Sequence, residues 1–560
     1  MSQRRRQTRG WAAHAGLRLR SERAWLLVLP AAVLVLTAIL CPSYATTYSS
    51  QAAMARAVAS ARANDTVLLL YGRLASGADP VQIAVWELGA MTCLGLGVVV
   101  VLHTAAIARG EEDQGRAEIL HSVSVAPARR VLGQALVLAL LSALIGIGAG
   151  TGLLALDGAS PADARAYGAA VGLTCLVLAA LTHLAAQLAS DRTAARGLGL
   201  AILATAFLAY GLSCSRDWEW AELAGGASPF ALREALAPGG GDHWSPALWA
   251  GCAWVLLVTL TALAAGRRDL GQGLMTIRAP WAGRPLEVSG PVPLALRLCL
   301  GSIIVWALAQ AAAGWLLIDM GSPLVRRAQE GAFSANSAMG AILSRGDGPA
   351  EAYVGYAGSL IGALAALQAV GLASRAGAEE LAGLAEALVA TGIRPVRLLL
   401  AWWLAAVAAS GLALCCAAGA AALIGHDALG LSKGDAIRLV AGQWPSAIAV
   451  ASVATLICAL GPRWRGASWL PPLICVGLIQ FQGTLDVPER IRDANPLAQA
   501  GRTGSWWLLA ASAAMLVIAV ASVRRRDLAL AAPSHRRPRH RHEPQAPIPL
   551  HREEEQPWTH

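Results

Sequence analysis

Lysine is almost missing from this chain of 560 residues. Of its 45 basic residues, every one is arginine except Lys433. A phosphate-binding P-loop needs G-x-x-x-x-G-K-[ST], with the lysine on the nucleotide phosphates. Lys433 sits in "GLSKGDA", without the Gly-Lys-Ser order, which excludes ATP hydrolysis by this chain. Charge of either sign is scarce as well, at 14% of residues, whereas soluble domains carry about a quarter. The ten cysteines include the adjacent pair Cys415 and Cys416 but no C-x-x-C, and most lie inside apolar runs. Neither a zinc site nor a disulfide framework is indicated, so no metal is expected and the thiols read as buried and inert. An enzyme would want carboxylates or histidines converging at one membrane face, whereas Asp65, Asp79, Glu219 and Glu222 are scattered.

Apolar residues make up 56% of the chain, with a mean hydropathy of +0.51. A bilayer core about 30 Å thick takes about 20 apolar residues per helical span. Runs such as "WLLVLPAAVLVLTAILC" at 25–41 meet that need. They are apolar on every side, which excludes the alternating strands of a membrane barrel. Backbone groups in lipid must be satisfied within the segment, so the runs are helices. The fold class is an all-α polytopic membrane protein. The net charge of +10 comes from arginines in short loops, which argues for membrane topology against a nucleic-acid surface.

Twelve spans are expected. Six lie near 24–41, 81–107, 131–156, 166–189, 196–213 and 246–266, and six near 294–318, 355–373, 398–424, 438–460, 468–483 and 505–523. The fifth and the eleventh carry the weakest signal. With the N-terminus inside, about 30 of the 45 basic residues fall on the cytoplasmic side, as the positive-inside rule requires. Both termini are then cytoplasmic. The chain divides into a basic N-terminus (1–23), a first six-span half (24–266), a linker (267–293), a second half (294–523) and a proline- and charge-rich tail (524–560). The tail's composition is that of a disordered segment.

The halves repeat each other. At an offset of 268, Glu111, Glu112, Gly115 and Glu118 fall on Glu379, Glu380, Gly383 and Glu386. "RRDL" follows the sixth span at 267–270 and the twelfth at 525–528, and "SPF" at 228–230 has a counterpart in "NPL" at 495–497. Six spans per half give both halves one orientation, hence parallel repeats about an axis normal to the membrane. On a helix, positions i, i+4 and i+7 share a face. Glu111, Gly115 and Glu118 are thus expected in one stripe, and Glu379, Gly383 and Glu386 in another. Each stripe would offer two carboxylates beside a residue without a side chain. One such helix could be merely a solvated loop; two at matching places point to a surface where a partner docks.

"RGEEDQGRAEIL…APARR" and "GAEELAGLAEAL…IRPVR" resemble the coupling segment between the second and third spans of ABC-2-type export permeases. The layout is similar to the twelve-span actinobacterial exporters of polyketide antibiotics, in which "RRDLGQGL" follows the sixth span, as at 267–274 here. The resemblance implies a permease whose segments near 109–130 and 375–397 couple to a separate ABC ATPase subunit, two copies per chain. It places ATP and magnesium on that subunit and no cofactor on this chain. It implies export of lipophilic or antibiotic-like compounds across the cell membrane. Leu384 stands where the first copy has Arg116, and Leu381 where it has Asp113. The second segment is therefore expected to grip its ATPase differently.

Ionisable residues within spans are functional candidates by default. Glu87 is a possible substrate-pathway residue, and His103 and His183 read as hydrogen-bonded members of the bundle. An ion-coupled twelve-span carrier is the competing reading, but such carriers need carboxylates or broken helices at the midplane, which the spans do not show.

Overall fold

The computed structural model describes residues 16, 18–47, 51–63, 65–75, 77–113, 126–216, 218–239, 243–268, 272–274, 288–329, 348–480, 494–498 and 506–526. No strand occurs among the described residues, and eleven helices are long and apolar enough to cross a membrane. The chain is an all-α polytopic membrane protein. Its first half is built on α1 (Arg23–Leu40), α2 (Pro80–Asp113), α3 (Pro127–Leu153), α4 (Pro161–Leu188), α5 (Arg192–Ser215) and α6 (Ser245–Arg267). In the second half come α7 (Pro291–Asp319), α8 (Pro349–Ala373), the short α9 (Arg375–Leu381) and α10 (Leu384–Ala390), α11 (Pro395–Leu429), α12 (Trp444–Leu460), α13 (Leu470–Gln480) and α14 (Trp506–Arg525). The eleventh expected span, 468–483, is represented by α13, whose 11 residues follow a 3₁₀ stretch, Pro462–Trp469. Its continuation past Gln480 lies outside the described residues.

Local sequence sets many helix starts. Proline opens α2, α3, α4, α7, α8 and α11, at the position where its missing N–H is no loss and its fixed φ is already helical. At α4, Ser160 and Asp163 form a capping box: Ser160 Oγ accepts from the Asp163 N–H at 3.2 Å, and Asp163 accepts from the Ser160 N–H at 2.9 Å. At α5, the Asp191 carboxylate accepts from the N–H groups of Thr193 and Ala194 at 2.8 and 2.9 Å.

The same neighbours recur in both halves. Helix α1 packs on α3 as α7 packs on α11; α2 packs on α4 as α8 packs on α12; α6 packs on α4 as α14 packs on α12. Among the described residues, every buried apolar cluster draws on one half alone.

Packing in the first half relies on glycine. The would-be Cβ of Gly168 lies 2.6 Å from the Gly146 carbonyl oxygen, and that of Gly172 lies 3.0 Å from the Ser142 carbonyl oxygen. Gly146 and Gly150 on α3 thus face Gly168 and Gly172 on α4, each pair spaced four apart. Lipid is as apolar as leucine, so close backbone approach has to replace the hydrophobic drive between these helices. Gly148, on another face of α3, meets the Pro30 carbonyl of α1 with a would-be Cβ contact of 2.6 Å.

The "SPF" and "NPL" motifs form matching 3₁₀ turns, Pro229–Ala231 and Pro496–Ala498. Ser228 Oγ donates to the Ala206 carbonyl of α5 at 2.8 Å and accepts from the Phe230 N–H at 3.3 Å. Asn495 repeats both contacts, donating to the Cys475 carbonyl of α13 at 2.9 Å and accepting from the Leu497 N–H at 3.1 Å. A hydroxyl on the fourth span of each half completes the seat. Thr174 donates to the Pro229 carbonyl at 3.0 Å, and Ser446 to the Pro496 carbonyl at 2.7 Å. Each hydroxyl thus anchors its turn to the fourth span of the same half, and at Pro229 it adds to the Leu232 N–H that the carbonyl already accepts.

Candidate coupling site

The repeated acidic segments lie at the arginine-rich end of the bundle. In the first half, α2 runs on to Asp113 and places Glu111 and Glu112 at its end. Glu111 pairs with Arg18 of the N-terminal segment at 2.5 Å. Glu112 turns inward, its side chain 3% exposed, and is surrounded by three guanidinium groups. Arg268, just past α6, grips both oxygens, with Nη1 2.8 Å from Oε2 and Nη2 on Oε1. Arg130 of α3 reaches Oε1 at 2.6 Å, and Arg109, one turn back on α2, meets Oε2. Both Arg268 and Arg109 extend to the end of α4: Arg268 Nε donates to Gln187 Oε1 at 2.8 Å, and Arg109 Nε to the Ala186 carbonyl at 2.8 Å. A guanidinium presents five donors in a planar fork, so it can grip both oxygens of a carboxylate side-on and still reach a second acceptor with Nε, a geometry that a lysine ammonium does not offer.

The second half repeats this joint. Glu380, on α9, is buried, and Arg526, just past α14, grips it with Nη1 to Oε1 at 2.5 Å and Nη2 to Oε2 at 2.7 Å. Arg526 Nε donates to the Ala459 carbonyl near the end of α12 at 2.8 Å. The second arginine of each "RRDL" therefore meets the second glutamate of each acidic pair. In the first half it ties together the ends of α2, α4 and α6, and in the second it ties α9, just past α8, to the ends of α12 and α14. The neighbouring Glu379 accepts from Trp402 Nε1 of α11 at 2.9 Å, and Arg375 lies 5.4 Å above the Trp402 ring.

Glu112 and Glu380 are both turned into the bundle; buried carboxylates require partners, and the arginines supply them. One expectation from sequence needs correction: Glu379, Gly383 and Glu386 do not share one helix. Helix α9 stops at Leu381 and α10 starts at Leu384, with Gly383 between them at φ 75°. Glycine takes that left-handed conformation at no steric cost, so the residue read as a gap in a helical stripe is an elbow. The elbow leaves Leu381 and Leu384 exposed at 43% and 58%, while Glu386 is half-buried on α10. Gly115 and Glu118 lie outside the described residues.

Glu87 lies on α2 two turns from its start at Pro80, half-buried. It accepts a hydrogen bond from the Tyr44 hydroxyl and lies within electrostatic range of Tyr356 on α8, in the other half. Sequence reasoning could not pair it with Tyr356, because the two are not repeat equivalents. The histidines serve the bundle: His183 bonds Gln134 of α3 at 3.0 Å, and Gln134 donates to the Ile107 carbonyl of α2 at 3.1 Å. His103 lies 3.4 Å from Glu22 and against the Trp25 ring. No group of three or more metal-binding side chains occurs among the described residues.

A duplicated bundle of lipid-spanning helices, with a repeated acidic joint at one end, is the architecture of an export permease of the ABC type. The relationship to known proteins agrees: residues 288–524 match the family described as the C-terminal domain of the multidrug efflux system permease Rv1217c. The chain is 30% identical over 551 residues to the multidrug efflux system permease protein Rv1217c of Mycobacterium tuberculosis (strain ATCC 25618 / H37Rv), covering 91% of this chain and 94% of that protein. It belongs to the Rv1217c family of efflux permeases.

Proposed function

We propose that the chain is the membrane subunit of an ATP-driven exporter of lipophilic compounds in the cell membrane. A separate ATPase, in two copies, seats on the segments near 109–130 and 375–397, and ATP and magnesium are held there. Both termini and both segments face the cytoplasm, as the arginine bias requires. The observation that carries this reading is the acidic segment, which occurs at the same place in both halves. In the second half its elbow turns Leu381 and Leu384 outward. Exposed leucines at an aqueous face form an apolar knob suited to burial in a partner's cleft. The carboxylates inside the elbow hold it in shape, and the leucines make the contact. Closure of the ATPase pair draws the two segments together and rocks the halves to open a pathway between them.

The test is co-purification. A tagged permease is isolated from its native membrane, and the ATP hydrolysis it brings down is measured. Leu381→Asp with Leu384→Asp is expected to remove most of that activity while leaving the permease folded. Undiminished hydrolysis from the double variant overturns the docking role of the elbow. Glu87 is proposed to line the pathway, where its carboxylate beside Tyr44 favours substrates that carry positive charge. Collapse of transport with the proton gradient while ATP persists would favour an ion-coupled carrier instead.

A further inference from the structure

We infer that Arg268 and Arg526 are transmission residues, which fasten the end of the last helix in each half to the coupling segment so that movement of one is delivered to the other. The inference rests on the proposed docking of an ATPase at those segments. Its evidence is separate from that reading. Each arginine stands one residue past its helix (α6 ends at Arg267 and α14 at Arg525) and spans to a carboxylate more than 140 positions away. Each makes a two-oxygen grip, on Glu112 and on Glu380, and uses its remaining Nε for the end of the fourth helix, at Gln187 or Ala459.

A lipid-facing helix has little else to move it. Apolar side chains slide past one another in lipid with no loss of hydrophobic contact, so a helix shifted at one end need not carry its neighbour. A paired and desolvated guanidinium–carboxylate grip cannot stretch without exposing an unpaired charge. The joint is therefore the stiff element at this end of each half. The last helices are mostly exposed along their length, with 17% of the apolar window of α6 and of α14 buried, and beyond their packing faces on α4 and α12 the joint is what fastens their ends. In the second half the joint sits directly beside the Gly383 elbow, with Glu380 three residues before the turn. A push on Leu381 or Leu384 is thereby carried into Arg526 and on to α14.

The test compares the unaltered permease with Arg526→Gln and with the exchanged pair Arg526→Glu plus Glu380→Arg. Two quantities are read: ATP hydrolysis co-purifying with the tagged permease, and ATP-dependent accumulation of ethidium by inverted membrane vesicles. Arg526→Gln is expected to keep co-purified hydrolysis within about twofold while transport falls about tenfold, the size of a typical coupling between sites. The exchanged pair is expected to recover at least about half of the lost transport, since it restores the grip with the charges reversed. Transport by Arg526→Gln equal to that of the unaltered protein overturns the inference, and so does a folded exchanged pair that does not transport. Loss of co-purified hydrolysis in Arg526→Gln also overturns it, because the joint would then only shape the docking surface. If the unaltered permease itself brings down no hydrolysis, the docking reading is what fails. Where Arg526→Gln does not accumulate as folded protein, the exchanged pair decides: transport supports the inference, and absence of fold or of transport overturns it.

Discussion

Replacing Gly168 with alanine adds a single methyl group where α4 crosses α3. That methyl would stand 2.6 Å from the Gly146 carbonyl oxygen, and ordinary contact begins at 3.4 Å. The helices must therefore part by roughly the difference, 0.8 Å, or α4 must rotate. The obstruction is backbone on both sides: Gly150 Cα lies at 3.4 Å, and no flexible side chain can swing away. Overpacking of this kind costs about 1–3 kcal/mol. Alanine returns up to about 1 kcal/mol through its better helix propensity. The expected net loss is up to about 2 kcal/mol, and relative to an unobstructed Gly→Ala it is the full overpacking cost of about 1–3 kcal/mol, read as a lower free energy of unfolding in mixed detergent micelles. Gly95 on α2 supplies the control, because an added Cβ there meets nothing within 4 Å. Gly95→Ala should be neutral or stabilising by up to about 1 kcal/mol. If Gly168→Ala proves as stable as Gly95→Ala, close backbone approach does not hold α3 to α4, and the account of this seam is wrong.

At the cap of α5, Asp191→Ala should cost about 1 kcal/mol of stability, whereas Asp191→Ser should be nearly neutral. Burial pushes the Asp191 carboxyl up, but the N–H groups of Ala194 and Thr193 and the Ser190 hydroxyl outweigh it and hold it below the usual carboxylate range. Its contribution is thus present above the unfolded-state value and lost as pH falls through the lowered folded value; a pH titration of unfolding that is the same with and without Asp191 would contradict this. In the second 3₁₀ turn, Asn495→Ala removes both bonds of a buried side chain and should cost about 1–3 kcal/mol, while Asn495→Ser should recover part of it, since Ser228 makes the same pair of contacts. Glu87→Gln should slow vesicle uptake of ethidium more than that of a neutral lipophilic dye; equal slowing of both would remove Glu87 from the pathway.

Much of the fold was legible from composition and periodicity, because lipid leaves a chain few options. The long apolar runs of α1 to α4 have to be helices, and Pro80, Pro127 and Pro161 mark where they begin. The eleventh span was faint for a physical reason: Pro471 and Pro472 interrupt its start, and only 11 helical residues follow in the described chain. Gly383 was legible as special but was read wrongly, since glycine serves equally as a gap in a helical stripe and as a left-handed elbow. The spacing of Gly146 with Gly150 and of Gly168 with Gly172 stands in the sequence, but helical spacing does not say which helix a face will meet. The electrostatic reach of Glu87 to Tyr356 was not legible at all, because it crosses between the halves.

Membrane residence and the helical class are decided by residue content, because hydrocarbon satisfies no backbone group, and the duplication by one offset of 268 positions. Both "RRDL" copies and both glutamate pairs were visible in the sequence as unconnected repeats. That Arg268 grips Glu112 and Arg526 grips Glu380 was decided only in three dimensions, because a buried carboxylate takes whichever guanidinium the packing of distant helices brings within reach.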